Sequence, residues 1–206
     1  MELRDVALIV LGYLFGSLPM GVIVARATGA RDPRTVGSGK IGGTNALRAM
    51  GQRRAILTAI LDISKGFVPV LLARQAGAAE LVQALVGAAA VLGSCRSVFL
   101  AFHGGRGLSA GIGALLAIAP LAVLVTAPVF FLVIWVSRYV ALGSLVAALA
   151  AAVVLAAFAA AGWTSPMWLV YGFLAAGLIW LAHADNIGRM LRGEEHRFSY
   201  RERERS

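Results

Sequence analysis

Apolar residues in this chain fall into blocks separated by short polar stretches. The blocks run from Val6 to Ala27, Ala55 to Ala73, Ala79 to Leu100, Leu108 to Val136, Val140 to Ala161 and Met167 to Ala182, and most approach the ~20 residues a helix needs to cross a bilayer. The fourth block, about 29 residues with Pro120 and Pro128 inside it, reads either as one long kinked helix or as two shorter helices meeting near Pro120. Charge discriminates between the two. The stretch from Thr28 to Arg54 carries Arg31, Arg34, Lys40, Arg48, Arg53 and Arg54, and the tail carries Arg189, Arg192, Arg197, Arg201, Arg203 and Arg205; the positive-inside rule puts both in the cytoplasm. One block precedes the first basic stretch, so the N-terminus is expected outside. Ending inside from an outside start needs an odd number of crossings, which favours a break near Pro120. The pattern therefore predicts an all-α integral membrane protein of about seven transmembrane helices, N-terminus outside and C-terminus cytoplasmic.

The first block, although its apolar run Val6 to Val24 is followed by Ala25-Arg26-Ala27, is expected to be a retained span. It is too long for a signal-peptide core, and its flank of Glu2, Arg4 and Asp5 carries more acid than base.

Composition agrees with a membrane protein: 59% hydrophobic, 14% charged and a mean hydropathy of +0.81 do not suit a soluble globular domain. The short polar stretches leave no room for a second soluble domain, so residues 1–206 are expected to form one unit. A single cysteine, Cys95, excludes an internal disulfide, and three scattered histidines without partners at ligand spacing argue against a metal site. The net charge of +9 fits topology and anionic lipid, or a preference for anionic substrates, and by itself does not separate them.

Three polar segments gather on the predicted cytoplasmic face. Gly37 to Gly51 (GSGKIGGTNALRAMG) is glycine-punctuated and free of acid; Ser38, Thr44 and Asn45 add donors, and Arg48 adds a planar fork for phosphate oxygens, so the run reads as an anion-holding loop. Gly93 to Gly107 ends in Gly104-Gly105-Arg106-Gly107 just before a helix, where backbone N–H groups, the helix N-terminus and a guanidinium all favour an oxyanion; it also reads as a re-entrant connector. His183-Ala184-Asp185-Asn186-Ile187-Gly188-Arg189 follows the last block, with His183 and Asn186 on one helical face and Arg189 three residues on. The tail from Arg197 onward reads as a topogenic, lipid-contacting segment. Within the second block, Asp62 and Lys65 lie three residues apart, roughly 10 Å in from its cytoplasmic end. They read as an ion pair that locks helix packing, as a Lys65 aimed into the phosphate site with Asp62 orienting it, or as both.

Taken together, these segments resemble the bacterial acyl-phosphate:glycerol-3-phosphate acyltransferases, the PlsY family, from Gly16-Ser17-Leu18-Pro19 to Gly193-Glu194-Glu195. The likeness is carried by Gly37-Ser38-Gly39, Ile41-Gly42, Thr44-Asn45, Arg48, Asp62 and Lys65-Gly66, then by Gly93, Phe102, Gly104-Gly105 and Gly107, then by His183, Asn186-Ile187, Arg189 and Gly193. The resemblance implies transfer of a fatty acyl group from acyl phosphate to the first hydroxyl of glycerol 3-phosphate, giving lysophosphatidic acid and phosphate. It implies no cofactor, no metal and no nucleic acid, a bacterial plasma-membrane location with the active face cytoplasmic, and membrane lipids as partners. By it, Ser38, Arg48, His183 and Asn186 contact glycerol phosphate, Thr44, Asn45, Gly104, Gly105, Arg106 and Gly107 cradle the donor phosphate, Lys65 binds substrate, and His183, Asn186 and Arg106 are catalytic. Acyl phosphate is an activated anhydride, so positioning and charge stabilisation suffice without a covalent intermediate. The general base is His183 or the donor's own phosphate.

Departures concentrate in the second motif. Ser94 stands where the family usually has His, Ser97 where it has Pro, and His103 and Arg106 where it has lysines; in the first motif Lys40 replaces Asn. Arg106 keeps the charge but presents a fork in place of a point charge. The alternative reading is a non-catalytic or repurposed relative, a membrane transporter or a binder of phosphorylated small molecules or lipids.

Overall fold

The computed structural model describes residues 2–198; of the predicted basic tail, Arg201, Arg203 and Arg205 lie outside the described residues, as do both terminal residues of the topology expectation. The described chain forms nine α-helices: α1 (Leu3–Ser17), α2 (Met20–Ala27), α3 (Gly43–Gln75), α4 (Glu80–Cys95), α5 (Leu108–Ile118), α6 (Pro120–Ser137), α7 (Val140–Ala160), α8 (Trp168–Ala182) and α9 (Ala184–Leu191). By length and composition four stretches can cross a membrane, Gly43–Gln75, Glu80–Leu100, Pro120–Ser137 and Val140–Ala160; two bent pairs, α1 with α2 and α8 with α9, raise this to six. The remaining apolar helix, α5, is 11 residues, or about 16 Å, roughly half a hydrocarbon core.

Proline and glycine explain where the blocks break. The fourth block divides at Ala119, with Pro120 as the first residue of α6, where its missing N–H costs no hydrogen bond. The first block, read above as one span, is bent by 47° between α1 and α2, because Pro19 cannot donate into the α1 ladder and instead caps α2. The second block is longer than its apolar stretch: α3 starts at Gly43 and bends at Gly51, whose φ of 76° is a conformation only glycine adopts readily. Thr44, Asn45 and Arg48 are therefore helical, not in a loop as expected from glycine content. Lys65 lies about 14 residues, ~21 Å of helix, beyond that bend.

α4 sits at the centre, packed on α1, α3, α5 and α8, while α6 rests mainly on α7 and buries only Ala122, Thr126 and Ile134. The α3–α5 contact is backbone to backbone: a Cβ on Gly66 would fall on Ala110 O, and one on Gly113 would fall on Ile63 O. Small residues permit this approach where lipid supplies no hydrophobic drive between helices. It brings the glycine turn before α5 beside the polar stretch of α3.

Candidate active site

The starts of α3 and α5 open onto one cavity of about 230 Å³. Its lining includes Ser38, Lys40, Thr44, Asn45, Arg48, Asp62, Lys65, Ser94, Gly105, Arg106, Gly107, His183 and Asn186. At both helix starts the first N–H groups have no intrahelical acceptor; Gly43, Thr44, Leu108 and Ser109 line the cavity, so two positive helix ends converge on it. Gly107, at φ 78°, caps α5 in the left-handed region. Of the predicted site residues, Gly104 alone is not in the lining; it packs against α4, its N–H donating to Cys95 O at 3.2 Å.

The first motif is held from within. Asn45, 3% exposed, donates Nδ2 to Val36 O (3.0 Å), Lys40 O (2.9 Å) and Ser38 Oγ (3.2 Å), so its amide braces the loop before α3. Arg48 is exposed and approaches only Asn45 Oδ1, at 3.5 Å. Neither Arg48 nor Lys40 forms an ion pair among the described residues, which leaves both available to an anion.

The other cations carry counter-ions. Lys65 is the largest fully buried side chain, its Nζ 2.9 Å from Asp62 Oδ1. That contact is a charge pair without a directed hydrogen bond, since Nζ aims at Leu18 O (3.0 Å) and Ser94 Oγ (3.4 Å). Arg106 makes a two-pronged contact with Asp185 at 3.0 and 3.2 Å, and Arg189 joins the same carboxylate at 3.2 Å. Burial alone would raise the pKa of Asp185, but Arg106 and Arg189 hold it below the usual carboxylate range.

His183, between α8 and α9, is 2% exposed, and its Nδ1 lies 2.8 Å from Ile179 O. A carbonyl only accepts, so Nδ1 carries the proton and Nε2 is the ring's acceptor. Burial pushes the His183 pKa down, the bond to Ile179 opposes this, and Arg106 adds to the lowering. Asn186 donates Nδ2 to Glu195 Oε1 at 2.7 Å, while its buried Oδ1 has no partner among the described residues. Glu195 also takes Arg189 Nε at 2.8 Å. Past it, Phe198 N donates to Arg138 O at 2.7 Å, so Glu195, His196 and Phe198 close one side of the cavity.

Asp185 and Glu195 had no role in the sequence reading. Their signal was weak: Asp185, Glu194 and Glu195 alternate with Arg189, Arg192 and Arg197 in a segment of mixed charge. A second cavity of about 140 Å³, almost wholly apolar, lies among α5, α6, α7 and α8 and shares Leu108 and Phe130 with the first.

The family profile described as Glycerol-3-phosphate acyltransferase matches residues 6–193. The chain belongs to the glycerol-3-phosphate acyltransferase family. A member from Geobacter sulfurreducens is 39% identical, the match covering 95% of this chain and 98% of that one, and one from Thermus thermophilus is 43% identical over 94% of each. Among solved structures, that of PlsY, an integral membrane glycerol 3-phosphate acyltransferase in its glycerol 3-phosphate form, is similar with a TM-score of 0.88, 34% identity and coverage of 98% of this chain and 100% of that one. Its lysophosphatidic acid form gives 0.84 and 32%, covering 95% and 96%. This family member is thus a multi-pass membrane acyltransferase.

Proposed function

We propose that this cavity transfers a fatty acyl group from acyl phosphate to glycerol 3-phosphate, giving lysophosphatidic acid and phosphate as a step of phospholipid synthesis. The observation that carries the reading is the shared wall at Leu108 and Phe130: a cationic pocket fed by two helix N-termini adjoins an apolar one, matching a donor with a phosphate head and a hydrocarbon tail. The donor phosphoryl group is assigned to Thr44, Gly105, Arg106, Gly107 and Lys65. The acceptor phosphate goes to Ser38 and Arg48. His183 Nε2 and Asn186 Oδ1, the acceptors left open in the pocket, take the two glycerol hydroxyls. The C1 hydroxyl oxygen attacks the acyl carbon, the bond from that carbon to the phosphate oxygen breaks, and the hydroxyl proton leaves on the departing phosphate. Cys95 is buried and does not line the cavity, which supports direct transfer without a thioester.

The location that suits this chemistry is the bacterial plasma membrane, with residues 1–206 forming one domain, the pocket open to the cytoplasm and the N-terminus outside; the basic residues around the pocket support it. Purified protein given acyl phosphate and glycerol 3-phosphate should form lysophosphatidic acid and phosphate in equal amounts. Saturable flux of either substrate across vesicles without turnover would favour a transporter.

A further inference from the structure

One buried charge has no assigned partner in the reaction. Asp62 and Lys65 are 5% and 1% exposed, and both line the site cavity. They sit three residues apart on α3, so their ion pair joins no two helices. Of the two, Lys65 alone bonds outside α3, to Leu18 O before the α1–α2 break and to Ser94 on α4. At the break Val22 N donates to Pro19 O, so Leu18 O, which accepts from Met20 N at 3.0 Å, keeps a second lone pair for Lys65. Burying a carboxylate is costly, and here that cost adds nothing to interhelical packing. What the carboxylate does is fix the ammonium. With Leu18 O and Ser94 Oγ accepting two of its three protons and the Asp62 charge beside it, Nζ has a defined place, and the next residue, Gly66, is where α3 meets the backbone of α5. Lys65 and the Gly105–Gly107 turn thereby line the same cavity.

We propose that Asp62 is a positioning residue, its carboxylate holding Lys65 Nζ at the cavity wall as the cation that meets the donor's phosphoryl group. This rests on the donor placement above. The ammonium then needs little reorganisation as charge builds on the leaving phosphate.

The test uses the full chain purified in detergent, as wild type, Asp62→Asn, Asp62→Glu and the neutral pair Asp62→Asn/Lys65→Met, with kcat and KM for each substrate and the thermal midpoint of each protein. Asp62→Asn should lower kcat/KM for acyl phosphate roughly tenfold or more, with the KM for glycerol 3-phosphate changed by less than about twofold. Asp62→Glu should regain most of the loss. The neutral pair should melt close to wild type, since it buries no charge, yet stay at least roughly tenfold impaired toward the donor. A wild-type protein without turnover contradicts the acyltransferase reading itself. With wild type active, the proposal is overturned if the neutral pair recovers both midpoint and rate, if it fails to fold, or if Asp62→Asn impairs both substrates equally.

Discussion

Gly66→Ala should inactivate the enzyme far more than it unfolds it. A methyl group at Gly66 would land on Ala110 O and 2.7 Å from Ala114 N, whereas ordinary contact begins near 3.4 Å; the Ala114 N contact alone asks for a parting of about 0.7 Å, and the deeper overlap on Ala110 O takes it beyond about 1 Å. Forcing extra volume into a packed contact costs about 1–3 kcal/mol, a loss a membrane bundle tolerates. The separation, however, falls between Lys65 on α3 and the Gly105–Gly107 turn leading into α5, two halves of the proposed donor-phosphate site. Misplacement approaching 1 Å costs roughly a hundredfold in rate. Phosphate release from acyl phosphate, read beside thermal unfolding in the same detergent, gives both quantities. Gly177→Ala is the control, because a Cβ there meets nothing within 4 Å. Wild-type kcat/KM in a Gly66→Ala protein of unchanged midpoint would refute the claim that the two helices align the site.

Arg48→Ala should raise the KM for glycerol 3-phosphate roughly ten- to a hundredfold, the worth of one charge-assisted phosphate contact of about 1.5–3 kcal/mol; unchanged kinetics for both substrates would remove Arg48 from the site. Burial holds the His183 pKa below its ordinary 6.5, so the neutral ring works near pH 7. Turnover should fall on an acid limb centred below 6.5, and stability linked to the neutral ring, complete above the unfolded value, should be lost as pH drops through 6.5 toward the folded one; a His183→Gln protein that keeps the same limb excludes the assignment. In a Cys95→Ser background, cysteines at Gly77 and Gly162 should label from outside and one at Ser38 only after permeabilisation, and the reverse pattern would overturn the proposed topology. Arg106→Ala should reduce turnover more than Ser94→Ala, since a full charge facing an oxyanion outweighs a neutral hydroxyl by about 1 kcal/mol or more; equal losses would contradict the donor cradle.

Hydrophobic periodicity and proline were enough to read the helical architecture, including the break before Pro120. Pro19 carried the same message, but its apolar flanks join into one plausible span, and composition alone does not reveal the 47° bend. Glycine misled at α3. Gly42 and Gly43 read as loop, yet the helix starts there because its first turn packs on α2 and its N–H groups serve the pocket, and the bend at Gly51 lets it do so. The three motif segments did meet, because each lies at a helix end on the same side of the bundle. The counter-ions were harder. The fork from Arg106 to Asp185 spans 79 positions, and Glu195 reaches back to Asn186 by a turn after α9 that no periodicity signals. The first follows from the turn before α5 meeting the start of α9 and the second from the chain folding back after α9, not from spacing.

Direct transfer within this cavity is tested most sharply by isotope and mass. Glycerol 3-phosphate labelled with heavy oxygen in its C1 hydroxyl is given to the purified protein with acyl phosphate, and the lysophosphatidic acid and the intact protein are weighed. The account predicts that all of the label appears in the ester bridge, and that acyl phosphate alone yields neither a burst of phosphate nor an acylated chain. Absence of lysophosphatidic acid, or a burst of phosphate with a protein heavier by one acyl group, would contradict it.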